Sequence, residues 1–231
     1  YEQLDELGEG LIRQYLGRKA ETVFCVDIEG FVMEYLRLPL LYRTFAEKDT
    51  DKIGFISDGI TPLLVYERQN YKIIKASFLQ IEKFLRKETE SGRRRFTISH
   101  ESAHFVMDRT VPQANFHREY DSERIYTATE LKALFSFKET QIDRMGAALL
   151  MPRFMVRNVA ETFGVLNGIP IYGDSILRAA DHLLIQEMAN AMGASFSAFL
   201  IRLRELGMLQ RHDVSEYITE EMGLGKAGDV Q

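Results

Sequence analysis

The chain has 231 residues, enough for one large domain or two small ones, and its 45% hydrophobic content is ample for a core. Its 29 Lys and Arg against 34 Asp and Glu leave a net charge of −5, which argues against general binding to phosphate backbones or anionic lipid. The single cysteine excludes an internal disulfide and suits a reducing cytoplasm, and no apolar run approaches the roughly 20 residues of a membrane span.

The first residues show no basic-then-apolar signal, so a cytoplasmic protein is expected. Residues 2–16 carry Leu4, Leu7, Leu11, Ile12 and Tyr15 at helical spacing, with Glu2, Asp5, Glu6 and Glu9 on a solvated face. Cys25, between Phe24 and Val26, reads as a buried, inert thiol. Asp27 is a good N-cap for a second helix with the stripe Ile28, Phe31, Val32, Tyr35 and Leu36. From Leu38 to Phe78 the texture changes to strands at 40–45, 52–56, 62–66 and 71–74, with a turn at Asp58-Gly59. A small antiparallel sheet is expected. Residues 77–90 are either helical or the approach to the next element, and Gly92-Arg93-Arg94-Arg95 reads first as a solvated basic run.

The next stretch organises the rest. His100-Glu101-Ser102-Ala103-His104 is H-E-x-x-H, on a helix that Thr97 is expected to cap. Positions i and i+4 lie on one helical face, so two imidazoles at this spacing can grip one zinc ion. Glu101, one step round the helix, can reach a water on that metal without being a ligand, which is the general-base arrangement of a metalloprotease. The bland alternative is a pair of histidines satisfying core hydrogen bonds.

A polar stretch, 108–129, follows. It contains His117, Tyr120 and Tyr126, and each of these, or His182, is a candidate donor to the oxyanion of a tetrahedral intermediate; the alternative is ordinary loop residues. A helix is expected from Lys138 to Met151, stopped by Pro152. It carries Glu139 and Asp143 at i and i+4. Glu139 is the candidate third ligand, and Asp143 would accept the free ring N–H of a liganding His. Ser136-Phe137-Lys138-Glu139 also fits a capping box, which would give Glu139 only backbone partners.

Residues 176–209 read as two or three helices. Gly193 would sit in a turn and Ser195 would cap the following helix, a helix-turn-helix outline over 181–206. Arg202 and Arg204 are its basic residues, beside Glu205 in an acidic chain, so helical packing or substrate positioning is favoured over DNA binding. The tail from Gly223 reads as flexible.

Three blocks, in order, resemble the ImmA/IrrE-type metallo-endopeptidases: Val26-Asp27-Ile28 opening a helix, Arg95 through His104, and Glu139 through Pro152. The resemblance implies an α+β fold, with a compact zincin-like metalloprotease domain of the gluzincin kind over 1–152 and a helical, helix-turn-helix-like C-terminal subdomain over 153–231. It implies Zn²⁺ held by His100, His104 and Glu139, with Glu101 as general base. It also implies a protein substrate, a helix-turn-helix repressor of the phage or mobile-element type whose cleavage relieves repression. Many members carry a second acid where this chain has Gln141, and the interval from His104 to Glu139 is long for the family. A metal-stabilised regulator that binds a repressor without cutting it is the alternative from another class.

Overall fold

The computed structural model describes residues 2–46, 53–56, 62–68, 70–74, 78–110 and 128–221. Helix α1 spans Glu2–Leu16, and its apolar stripe packs into the core with Ile12 fully buried. The other face is not simply solvated. Asp5 is buried beside the guanidinium groups of Arg144 and Arg202, and Glu9 pairs with Arg153. Gly8 lets α1 approach Ala148 so closely that a Cβ there would lie 2.7 Å from the Ala148 Cβ. Asp27 caps the short helix α2, Ile28–Gly30, by accepting from Gly30 N at 3.0 Å, and the chain continues as a π turn over Phe31–Tyr35. Cys25 is exposed, contrary to the expectation of a buried thiol: the apolar neighbour Val26 turns inward, while Cys25 faces out.

Five strands form the main sheet: β1 (Leu40–Phe45), β2 (Gly54–Ile56), β3 (Leu63–Glu67), β4 (Asn70–Ile74) and β5 (Leu79–Glu82), in the order β2-β5-β1-β3-β4. The sheet is mixed rather than antiparallel, because β1 and β5 run parallel with Leu40 opposite Leu79. Strand β5 lies in the stretch 77–90, read from the sequence as either helical or the approach to the next helix. Leu79, Gln80 and Ile81 are all buried, so a central strand shows no alternation from which to recognise it. Buried Gln80 is satisfied in part by Arg43 Nε, which donates to its Oε1 at 3.2 Å.

Helix α3, Ser91–Thr110, packs against β2 and β5 on one side and along α4, Ala128–Leu150, on the other. It begins six residues before Thr97, so Thr97 is not its cap. The Thr97 hydroxyl donates back to Arg93 O at 2.9 Å, the alternative open to a Thr inside a helix. The basic run is the first turn of α3 and is not merely a solvated face. Arg94 donates to Leu85 O and Arg86 O and pairs with Glu29, and Arg95 donates to Val26 O (2.7 Å) and Gly193 O (2.9 Å). Cations at a helix N-terminus oppose its dipole, and these carbonyl and carboxylate partners offset that cost.

After Pro152 come α5 (Arg153–Thr162), β6 (Ile169–Tyr172), α6 (Ala179–Ala191), α7 (Phe196–Glu205), β7 (Leu209–His212) and α8 (Val214–Glu221). This part is not purely helical: β6 and β7 pair in parallel, with Ile169 opposite Leu209. Gly193 takes φ +63° between α6 and α7, and Ser195 caps α7 by accepting from Ala198 N at 3.2 Å. Arg202, one of the two arginines of the expected basic face, is fully buried. One hydrophobic cluster runs from Ile12 through Ile98, Met107, Ile142 and Leu149 to Phe199 and Leu203. Among the described residues no helix is long and apolar enough to cross a membrane.

Candidate metal centre

The 20-residue helix α3 sets His100 and His104 one turn apart on one face, with ring centroids 5.0 Å apart. Both imidazoles are mostly buried. The neighbouring helix α4 brings a carboxylate to them: Glu139 Oε2 lies 3.5 Å from His100 Nε2 and 3.7 Å from His104 Nε2. One donor atom from each of the three residues lies within 4.8 Å of the others. A tetrahedral cation with ligand bonds of about 2.0–2.1 Å requires donor atoms roughly 3.4 Å apart. The two imidazole–carboxylate distances meet that requirement with almost no rearrangement, so the residues fit a zinc-sized ion.

The close packing of α3 on α4 makes this possible. Gly146 faces His100, where a Cβ would lie 3.2 Å from the His100 Cα. Ser99 Oγ, fully buried, donates to Gly146 O at 2.6 Å and ties the helices at that point. Residues 139, 143 and 146 share one face of α4 by helical spacing, so the contact at Gly146 brings Asp143 to His100 and Glu139 to both imidazoles.

Asp143 Oδ1 lies 2.8 Å from His100 Nδ1. With Nδ1–H donating to that carboxylate, Nε2 keeps the lone pair and points toward Glu139. Burial by itself lowers the His100 pKa, but the Asp143 hydrogen bond and the charges of Glu101, Asp143 and Glu139 together outweigh it, and the pKa is raised. The same negative surroundings favour a bound cation. Asp143→Asn is therefore expected to weaken zinc affinity by about 10- to 100-fold, read by competition with a chelator at fixed pH. An unchanged affinity would remove Asp143 from the site.

Glu101 lies one residue beyond His100 and is 9% exposed. Its carboxylate faces β2: a Cβ built at Gly54 would lie 2.6 Å from Glu101 Oε1. Glu139 is deep inside α4, which begins at Ala128, so the capping-box alternative does not apply. His182 sits on α6, exposed and stacked on Phe196 with centroids 4.2 Å apart, outside the His100–His104–Glu139 cluster. His117, Tyr120 and Tyr126 lie outside the described residues. Sequence reading missed Gly54, Ser99 and Gly146. An isolated Gly inside a strand or helix pattern is the signal of close approach that marks two of them.

No curated protein matches the chain. The model of the Peptidase_M78 family, described as the IrrE N-terminal-like domain, matches residues 84–204, just over half of the 231. The match contains both helices of the His–His–Glu cluster, α3 and α4. With a peptidase family model matched over more than half of the chain and over a His–His–Glu cluster whose spacing is compatible with a metal ion, this chain belongs to the Peptidase_M78 (IrrE N-terminal-like) family.

Proposed function

We propose that the chain is a zinc-dependent endopeptidase that cuts a protein substrate, a helix-turn-helix repressor, and thereby relieves transcriptional repression in the cytoplasm. The observation that carries the reading is the convergence of His100 Nε2, His104 Nε2 and Glu139 Oε2 from two helices. In this reading His100, His104 and Glu139 hold Zn²⁺, and Asp143 fixes the His100 tautomer. When bound, the ion supplies a water of lowered pKa and polarises the scissile carbonyl. The Glu101 carboxylate takes a proton from the attacking water and passes it to the departing amine nitrogen. Strand β2, the edge of the sheet among the described residues and packed on α3 beside Glu101, is a suitable rail for an extended substrate, which would add to it by main-chain hydrogen bonds. The reading places the catalytic part in residues 1–152. Residues 153–231 then serve packing or substrate positioning, and burial of Arg202 supports this over nucleic-acid contact.

The test is incubation of the zinc-loaded protein with the helix-turn-helix repressor encoded beside its gene. Two repressor fragments are expected, and none after chelation. A stable complex with an intact repressor would replace the protease by a metal-stabilised binding protein.

A further inference from the structure

Gly54 stands at the start of edge strand β2, and the space its side chain would fill is taken by the Glu101 carboxylate. A Cβ there would lie 2.6 Å from Glu101 Oε1, 2.9 Å from Glu101 Cγ and 2.6 Å from Thr97 Cγ2, all below the 3.0 Å that real Cβ contacts respect. The backbone does not require glycine: Gly54 is absent from the positive-φ glycines. Space does. Thr97 and Glu101 are one turn apart on α3, so both meet the strand at one point. Thr97 turns its hydroxyl to Arg93 O, and its methyl closes one side of the slot. The strand cannot easily retreat, because Gly54 pairs with Ile81 and Glu82 N donates to Ile53 O at 2.8 Å.

We propose that Gly54 is a positioning residue for Glu101: by lacking a Cβ it admits the carboxylate between β2 and α3 and sets where its proton-accepting oxygen stands. This rests on the reading of Glu101 as the general base. A side chain at position 54 would force a different Glu101 rotamer and displace that oxygen, while His100, His104 and Glu139 keep their places on α3 and α4.

Acetohydroxamate tests this without turnover. A hydroxamic acid chelates zinc through two oxygens and gives its proton to an adjacent base, so its affinity reads the position of the carboxylate. The zinc-loaded parent, Gly54→Ala, Glu101→Gln, Glu101→Asp and the double variant Gly54→Ala/Glu101→Asp are titrated by calorimetry, with zinc content and melting temperature measured alongside. Gly54→Ala is expected to bind acetohydroxamate at least about tenfold more weakly with one zinc per chain retained. Shortening the acid by one methylene in the double variant should recover part of the affinity and of any lost melting temperature, a non-additivity that a general packing defect does not produce. If Glu101→Gln weakens binding and Gly54→Ala does not, the positioning role is wrong and the base assignment stands. If Gly54→Ala sheds zinc, or the double variant recovers nothing, the positioning role is likewise wrong. If Glu101→Gln binds as tightly as the parent, or the zinc-loaded parent does not bind at all, the base assignment fails and takes this proposal with it.

Discussion

Glu101→Gln is expected to retain zinc and to slow repressor cleavage by at least about a hundredfold. Gln keeps the length and shape of Glu, so it still fits the slot opposite Gly54 and leaves the α3–β2 contact intact. It also leaves His100, His104 and Glu139 untouched. What it loses is the ability to accept a proton near neutral pH. Zinc stoichiometry and melting temperature should therefore match the parent while fragment formation collapses. Glu139→Gln should behave differently, because removing the charge that faces both imidazoles weakens the ion's hold first. A Glu101→Gln protein that cuts at the parental rate would mean the base lies elsewhere, and the proteolytic reading of H-E-x-x-H in this chain would fail. Equal losses of zinc in the two variants would make Glu101 a structural residue of the site.

The parts of the centre legible in the sequence were those set by local spacing. His100 and His104 needed only a helix between them, and Glu139 with Asp143 needed only a second one. The α2 cap at Asp27 and the α7 cap at Ser195 were legible for the same reason, since each cap bonds within three residues of itself. What depended on long-range packing was not legible. Strand β5 is buried on both faces and shows no period. Arg94 and Arg95 looked like a solvated run because their acceptors, Leu85 O, Val26 O and Gly193 O, are backbone carbonyls brought up by other segments. Thr97 looked like a cap because nothing in its neighbourhood reveals that the helix had already begun at Ser91. Gly54 gave a weak sign, an isolated Gly between Ile53 and Phe55, but its partner lies 47 residues on in α3.

The same limit hid the partners of Arg202, a fully buried charge. Arg202→Ala is expected to lower unfolding free energy by about 3–5 kcal/mol. Its guanidinium is wholly buried: Nε donates to Met151 O at 3.0 Å, one terminal nitrogen lies 3.2 Å from Glu205, and the other forms an ion pair with Asp5 Oδ1 at 2.7 Å, though its N–H groups are not aligned on that oxygen. Arg144 reaches the other oxygen of Asp5 at 3.0 Å. Truncation at 202 leaves a cavity, an unbonded Met151 carbonyl and an Asp5 carboxylate with one cation instead of two. By contrast, the Arg13–Glu21 pair, at 3.2 Å but mostly solvated, should change stability by less than about 1 kcal/mol when either side is removed. Arg202→Met, which keeps much of the apolar stem, separates packing from charge and should fall between these. Urea unfolding of the zinc-free protein checks all three. A loss below about 1 kcal/mol for Arg202→Ala would mean that α7 is not tied to α1 and α4 through this network. A large loss has a consequence for the metal centre, because Arg144 and Met151 belong to or directly follow the helix that carries Glu139 and Asp143. Loosening its C-terminal end should weaken zinc binding as well, even though Arg202 touches no ligand.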